Sequence, residues 1–219
     1  MNDFSGWKRL SMLGIGKLSV LLFAIWIAGT SLYAIVETDS QSGIFRRLLS
    51  VIPWAGYAHI IGGSIALVLG GLQFSSRLRR RNLELHKLMG KAYVVCVLVS
   101  TLGAFVSLSF TQSPWPAKSA FWLLATLWPI ATLAGYPRGE KFDFHWHGRL
   151  MILSYSMTCV AISLRLLLGL LLVSEVDFRI AYPISAWGGL VGNLIIAFLL
   201  IGVISKVKSK AFVTNGPLG

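Results

Sequence analysis

The chain has 219 residues, of which 55% are hydrophobic and only 13% charged, and its mean hydropathy is +0.72. A soluble domain carries about 25% charged residues, so the composition excludes an ordinary soluble enzyme and points to a membrane protein. The net charge of +12 could suit nucleic acid, but the cations lie in loops between apolar runs and no aromatic-and-basic platform lies outside those runs, which argues against nucleic-acid binding.

The apolar runs predict an all-α fold: a polytopic membrane helical bundle of six transmembrane helices at about 18–36, 54–76, 88–110, 119–136, 149–173 and 184–205. Each is near the roughly 20 residues that cross a bilayer as a helix. No strand-period pattern of the outer-membrane barrel kind is present. The expected organisation is a cytoplasmic segment 1–17, one six-helix domain 18–205 and a loosely ordered cytoplasmic tail 206–219.

In chain order, Lys8, Arg9 and Lys17 precede the first run. The run is long, and its end at Ser31–Val36 is only weakly cleavage-like, so it reads as a retained helix rather than a signal peptide. The apolar stretch Gly43–Trp54, with Arg46 and Arg47, is expected to lie flat on the outer surface. Arg77, Arg79, Arg80, Arg81 and Lys87 fill the loop after span two. The Thr111–Lys118 segment, with Pro114, Trp115 and Pro116, reads as a tight turn, and Pro137–His147 as a polar, aromatic loop. Arg138, Lys141 and Arg149 mark that second loop, and Lys206, Lys208 and Lys210 follow span six. These basic loops alternate, so the positive-inside rule puts both termini of this multi-pass membrane protein in the cytoplasm. Trp54, Trp146 and Trp187 fit an interfacial belt. Cys96 and Cys159 fall mid-span without CxxC spacing and read as small buried hydrophobes.

Against this apolar background a few polar residues stand out. In span two, steps of three and four from His59 give Gly63, Ala66, Gly70 and Gln73, one face of small and polar residues. Such a face suits close helix packing, or a flat cofactor lying under a histidine. His86 heads span three, followed on one face by Gly90, Tyr93, Val97 and Ser100. In span five, His147 shares a face with Met151, Ser154, Thr158 and Arg165. An arginine facing lipid at mid-depth costs at least ~2.5 kcal/mol, so Arg165 is expected to face inward.

Depth separates these residues. His86 and His147 start spans that leave the cytoplasm, while His59 lies in the outer third of its span. A zinc site using all three is excluded, because its ligands must lie within about 2 Å of one metal. Two arrangements remain: a His86–His147 pair at the inner side and a His59–Arg165 site at the outer side. The inner pair suits axial ligation of haem b, or a metal ion, or plain interfacial polarity. His145 cannot share a helix face with His147 and is set aside as a ligand. No nucleophile elbow, phosphate loop or HExxH motif is present, and no acidic residue lies clearly mid-span.

The run from His59 through Gly62-Gly63 to Gln73-Phe74, then Arg77, then Leu85-His86 to Gly90 and Tyr93, resembles the uncharacterised bacterial DUF2306 membrane proteins. So do His147-Gly148-Arg149-Leu150-Met151, Arg165, Ala186-Trp187 and Asn193, the whole covering roughly residues 55–200. The resemblance implies that His59, Gln73, His86, Tyr93, His147, Arg165 and Asn193 belong to one site or two linked ones. It names no ligand.

The leading expectation is a redox-associated membrane protein binding haem b or quinone. His86 and His147 are the axial metal ligands, Arg165 meets a propionate or quinone carbonyl, and His59 with Gln73 lines the pocket. A non-catalytic accessory or assembly subunit packed against partner membrane proteins is the second reading. Metal-ion binding or transport through His59 or His145–His147 is the third.

Overall fold

In the computed structural model, residues 4–36, 52–140 and 144–214 are described, and all of their regular structure is helical. The stretch carrying Arg46 and Arg47 lies outside the described residues. Helix is the expected outcome for an apolar span, because each backbone N–H and C=O is bonded within its own segment and none is left facing hydrocarbon. Six helices are long and apolar enough to cross a membrane: Leu18–Val36, Pro53–Gln73, Leu83–Phe110, Trp115–Arg138, His145–Val173 and Phe178–Ser205. They match the six predicted spans, with spans three to six starting a turn or more earlier. The contacts group the chain into two compact units, Met1–Ser113 and Pro114–Gly219.

The first unit holds α1 (Phe4–Val36), α2 (Pro53–Gln73), α3 (Ser76–Arg81) and α4 (Leu83–Phe110). Pro53 occupies the first turn of α2, where its missing N–H costs nothing. Ser75 Oγ accepts from the Leu78 N–H at 3.3 Å and caps α3. Asn82 ends α3 and starts α4, its Oδ1 accepting from the Leu85 N–H at 2.9 Å. The basic loop after span two is thus a short capped helix. α2 is the centre of this unit, packed against both α1 and α4. Its buried positions are mostly small: Ala55, Gly56, Gly62, Ser64, Ala66 and Gly70.

The second unit holds α5 (Trp115–Glu140), α6 (Phe144–Thr158), α7 (Val160–Val173) and α8 (Phe178–Thr214). α5, α6 and α8 pack on one another, and α7 packs on α8. Ala117, Ala120 and Ala186 form a buried centre flanked by Phe121, Leu164 and Tyr182. α6 and α7 are one span interrupted at Cys159, whose carbonyl accepts from both the Ile162 and Ser163 N–H groups at 2.9 and 3.1 Å. That mixture of i+3 and i+4 bonds tightens one turn without breaking the span. α7 ends in a Schellman motif: Val176 N–H bonds Leu171 O and Glu175 N–H bonds Leu172 O, both at 3.0 Å, with Glu175 left-handed at φ 61°.

Three expectations change. Trp115 and Pro116 form the first turn of α5 rather than a turn, with Pro114 O accepting from the Ala117 and Lys118 N–H groups at 2.9 and 3.0 Å. The Pro137–His147 loop is largely helix, since α5 runs to Glu140 and α6 starts at Phe144. The tail after Lys206 continues α8 to Thr214, because nothing in Lys206–Thr214 breaks a helix.

α2 and α4 approach so closely that two glycines are required. A Cβ at Gly62 would stand 2.9 Å from Cys96 O, and one at Gly103 would overlap Ala55 O and stand 2.7 Å from His59 N. Both obstacles are backbone, which cannot swing aside. Gly103→Ala is therefore expected to lower stability by about 1–3 kcal/mol, the range for overpacking. Gly202→Ala, with nothing within 4 Å of its added methyl, should be neutral or slightly stabilising. Thermal unfolding of the two variants in detergent checks the contrast.

Candidate functional site

The close approach of α2 and α4 places His59 against Ser100. His59 Nδ1 lies 3.1 Å from Ser100 O and 3.2 Å from Ser100 Oγ, while Ser100 Oγ donates to His59 O at 2.9 Å. A carbonyl can only accept, so the ring proton is on Nδ1 and the lone pair of the neutral ring is on Nε2. The small-residue face around His59 is filled here by α4: a Cβ on Gly63 would stand 3.2 Å from Ser100 Oγ. At this level the glycines serve helix packing and not a cofactor groove.

Gln73 does not share a level with His59, from which it is separated by fourteen residues of α2 or roughly 21 Å. Its Nε2 instead donates to His86 O at 3.0 Å, joining the end of α2 to the first turn of α4. The half-buried His86 and the buried Tyr93 both belong to α4. Within the first unit the structure therefore brings Gln73 and His86 together and keeps His59 apart from them.

In the second unit, α5 and α6 run antiparallel and are joined by a buried polar ladder. Trp128 Nε1 donates to Thr158 Oγ1 at 3.0 Å, and Thr132 Oγ1 and Ser154 Oγ share a 2.6 Å bond. One turn further, Gly135 faces Met151 and Leu150, where a Cβ would stand 2.8 Å from Met151 Cε and 3.0 Å from Leu150 Cβ. At the same level His147 Nδ1 lies 2.9 Å from Gly135 O. By the same reasoning as for His59, Nδ1 carries the proton and Nε2 the lone pair. His147 has no other partner among the described residues.

Arg165 lies on α7, five turns from His147, and its Nη1 donates to Ala161 O at 2.9 Å. The residue is exposed, and at roughly 27 Å along the span it cannot serve a group bound at His147. Asn193 on α8 is buried, with Nδ2 donating to Ser163 Oγ at 2.6 Å and Gly189 O at 2.7 Å. His145 is exposed and meets the Trp146 ring edge-on. Among the described residues no three His, Cys, Asp or Glu side chains gather as metal ligands, so no closed zinc-type donor set is formed there. Cys96 and Cys159 are free thiols, each half-buried.

Trp128, Thr132 and Gly135 escaped attention in the sequence. Their signal is visible once α6 is aligned against α5: positions 128 and 132 face 158 and 154 at matched four-residue steps.

The fold and these side chains define a multi-pass helical membrane protein with interhelical histidines. The chain belongs to the DUF2306 family, described as a predicted membrane protein, whose model matches residues 56–201. No curated protein and no solved structure matches it.

The ladder is testable by a double-mutant cycle on Thr132→Val and Ser154→Ala. Interhelical hydrogen bonds in membranes average about 0.6 kcal/mol and reach ~1.7. A coupling in that range is expected from unfolding in mixed micelles, and additive single effects would show that the 2.6 Å contact is energetically idle.

Proposed function

We propose that this is a redox-associated protein of the bacterial inner membrane that binds haem b or a quinone, with His147 as the contacting side chain. The observation that carries the reading is the 2.9 Å bond from His147 Nδ1–H to Gly135 O. Iron-ligating histidines donate their second ring N–H to a carbonyl or carboxylate, which fixes the ring and directs the Nε2 lone pair at the metal. A quinone carbonyl needs a donor, whereas Nε2 in this tautomer is an acceptor, so iron or a quinol hydroxyl suits His147 better. His86, at the start of α4 and tethered through its carbonyl to Gln73, is a separate candidate within the first unit.

A bound haem would supply one-electron chemistry. The protein's own contribution is to orient the imidazole. Met151 and Leu150, on the same helix as His147, pack over Gly135. Arg165 is left out of this site because of its distance along the span. The accessory-subunit reading loses part of the stripe that prompted it, since the Gly62–Gly63 part is occupied by α4 within the same unit.

Protein purified from membranes in mild detergent is expected to show a Soret band near 410–430 nm, or failing that an extractable quinone at near-equal stoichiometry. His147→Ala should lose or shift the band, and Gly135→Ala should shift it by displacing the ring. A colourless, quinone-free preparation of folded protein sinks the reading. So does a band untouched by both His147→Ala and His86→Ala.

A further inference from the structure

We propose that Arg149 is the anchor of a binding site for the phosphate of an anionic phospholipid, at one membrane boundary of the second unit. Arg149 stands one turn into the span His145–Val173, and its Nη2 donates at 3.0 Å to the Oγ of Ser205, the last residue of the span Phe178–Ser205. Two span ends thus meet at one level. The guanidinium carbon lies 5.3 Å from the centre of the Trp146 ring, so the cation is held against an aromatic face as well as a hydroxyl. Arg149 is half-buried, and its Nε is enclosed without a hydrogen-bond partner.

Among the described residues no carboxylate is paired with it. A cation fixed in place at a bilayer boundary, without a neutralising acid, finds its counter-charge in a lipid headgroup. The planar fork of arginine matches two phosphate oxygens, and Trp146, half-exposed beside it, belongs at headgroup level. The chain adds Lys206, Lys208 and Lys210 immediately after Ser205, giving the same end of α8 a basic continuation. Basic pockets between spans at such a boundary recognise anionic headgroups in preference to zwitterionic ones.

The test uses the full chain reconstituted with phosphatidylglycerol and phosphatidylcholine, transferred to detergent and examined by native mass spectrometry for retained lipid. Wild type is expected to keep phosphatidylglycerol over phosphatidylcholine. Arg149→Ala should cut that retention about fivefold, with Arg149→Lys intermediate because it keeps charge but loses the fork. Arg81→Ala, an exposed arginine of α3 in the other unit, should change nothing. Should Arg149→Ala fail to fold by circular dichroism, Ser205→Ala with Arg149→Lys carries the comparison. Equal retention of both lipids by wild type, or unchanged retention in the Arg149 variants, overturns the proposal. Loss of the bound lipid to millimolar inorganic phosphate at constant ionic strength also overturns it, because the site would then take a soluble anion. A Soret band unaffected in Arg149→Ala would separate this site from that of His147.

Discussion

Inside a bilayer a polar side chain cannot turn to water, and the arrangement of each unit follows from that constraint. His59 reaches Ser100, Gln73 reaches the carbonyl of His86, Trp128 reaches Thr158, and Asn193 reaches Ser163, in each case across to the next packed helix. These bonds are short-range and demand that helix backbones approach closely. Gly62 and Gly103 are where the backbones approach most closely, and at both a methyl group would meet a backbone carbonyl. Lipid offers no hydrophobic drive for helices to associate, so this combination of small residues and interhelical hydrogen bonds supplies the cohesion.

The same constraint prepares chemistry. A carbonyl that holds a histidine in place also chooses its tautomer, because the carbonyl can only accept. His59 and His147 are both set with the proton on Nδ1 and the lone pair on Nε2. They differ in how far the ring is committed. His59 is enclosed by a reciprocal exchange with Ser100 in a glycine-lined crossing, whereas His147 is held at a single point near the start of α6. A ring held at one nitrogen and otherwise without partners among the described residues is the better ligand candidate, which is why the functional reading rests on His147.

Charge is handled by position instead of by pairing. Lys87 and Glu84 form an exposed pair one turn apart on α4, at 2.9 Å, and such a pair is worth little. Arg138 and Arg165 turn back on carbonyls of their own helices, Ala134 and Ala161. Satisfying a guanidinium locally lets an arginine remain near a span's surface. Arg149 departs from this pattern by crossing to α8 and stacking on Trp146.

The six spans and their rough limits were legible in the sequence, because the length and apolarity of a transmembrane helix are set by bilayer thickness. The extension of α8 and the helical starts at Trp115 and Phe144 were not, since polar residues at a span's end read as loop while continuing to make helical hydrogen bonds. Helical counting put His147, Ser154 and Thr158 on one face, and α6 carries them there. Counting could not say what that face meets. The partners of His59 and His147 are backbone carbonyls of Ser100 and Gly135, which have no residue-type signature, and they come within reach only because two antiparallel helices cross at a particular register. Sequence thus determined which segments enter the membrane and which side chains are costly there. Tertiary packing decided which nitrogen of each histidine keeps its lone pair, that Gln73 belongs with His86, and that Arg165 stands apart from both, because those outcomes depend on interhelical distances of about 3 Å.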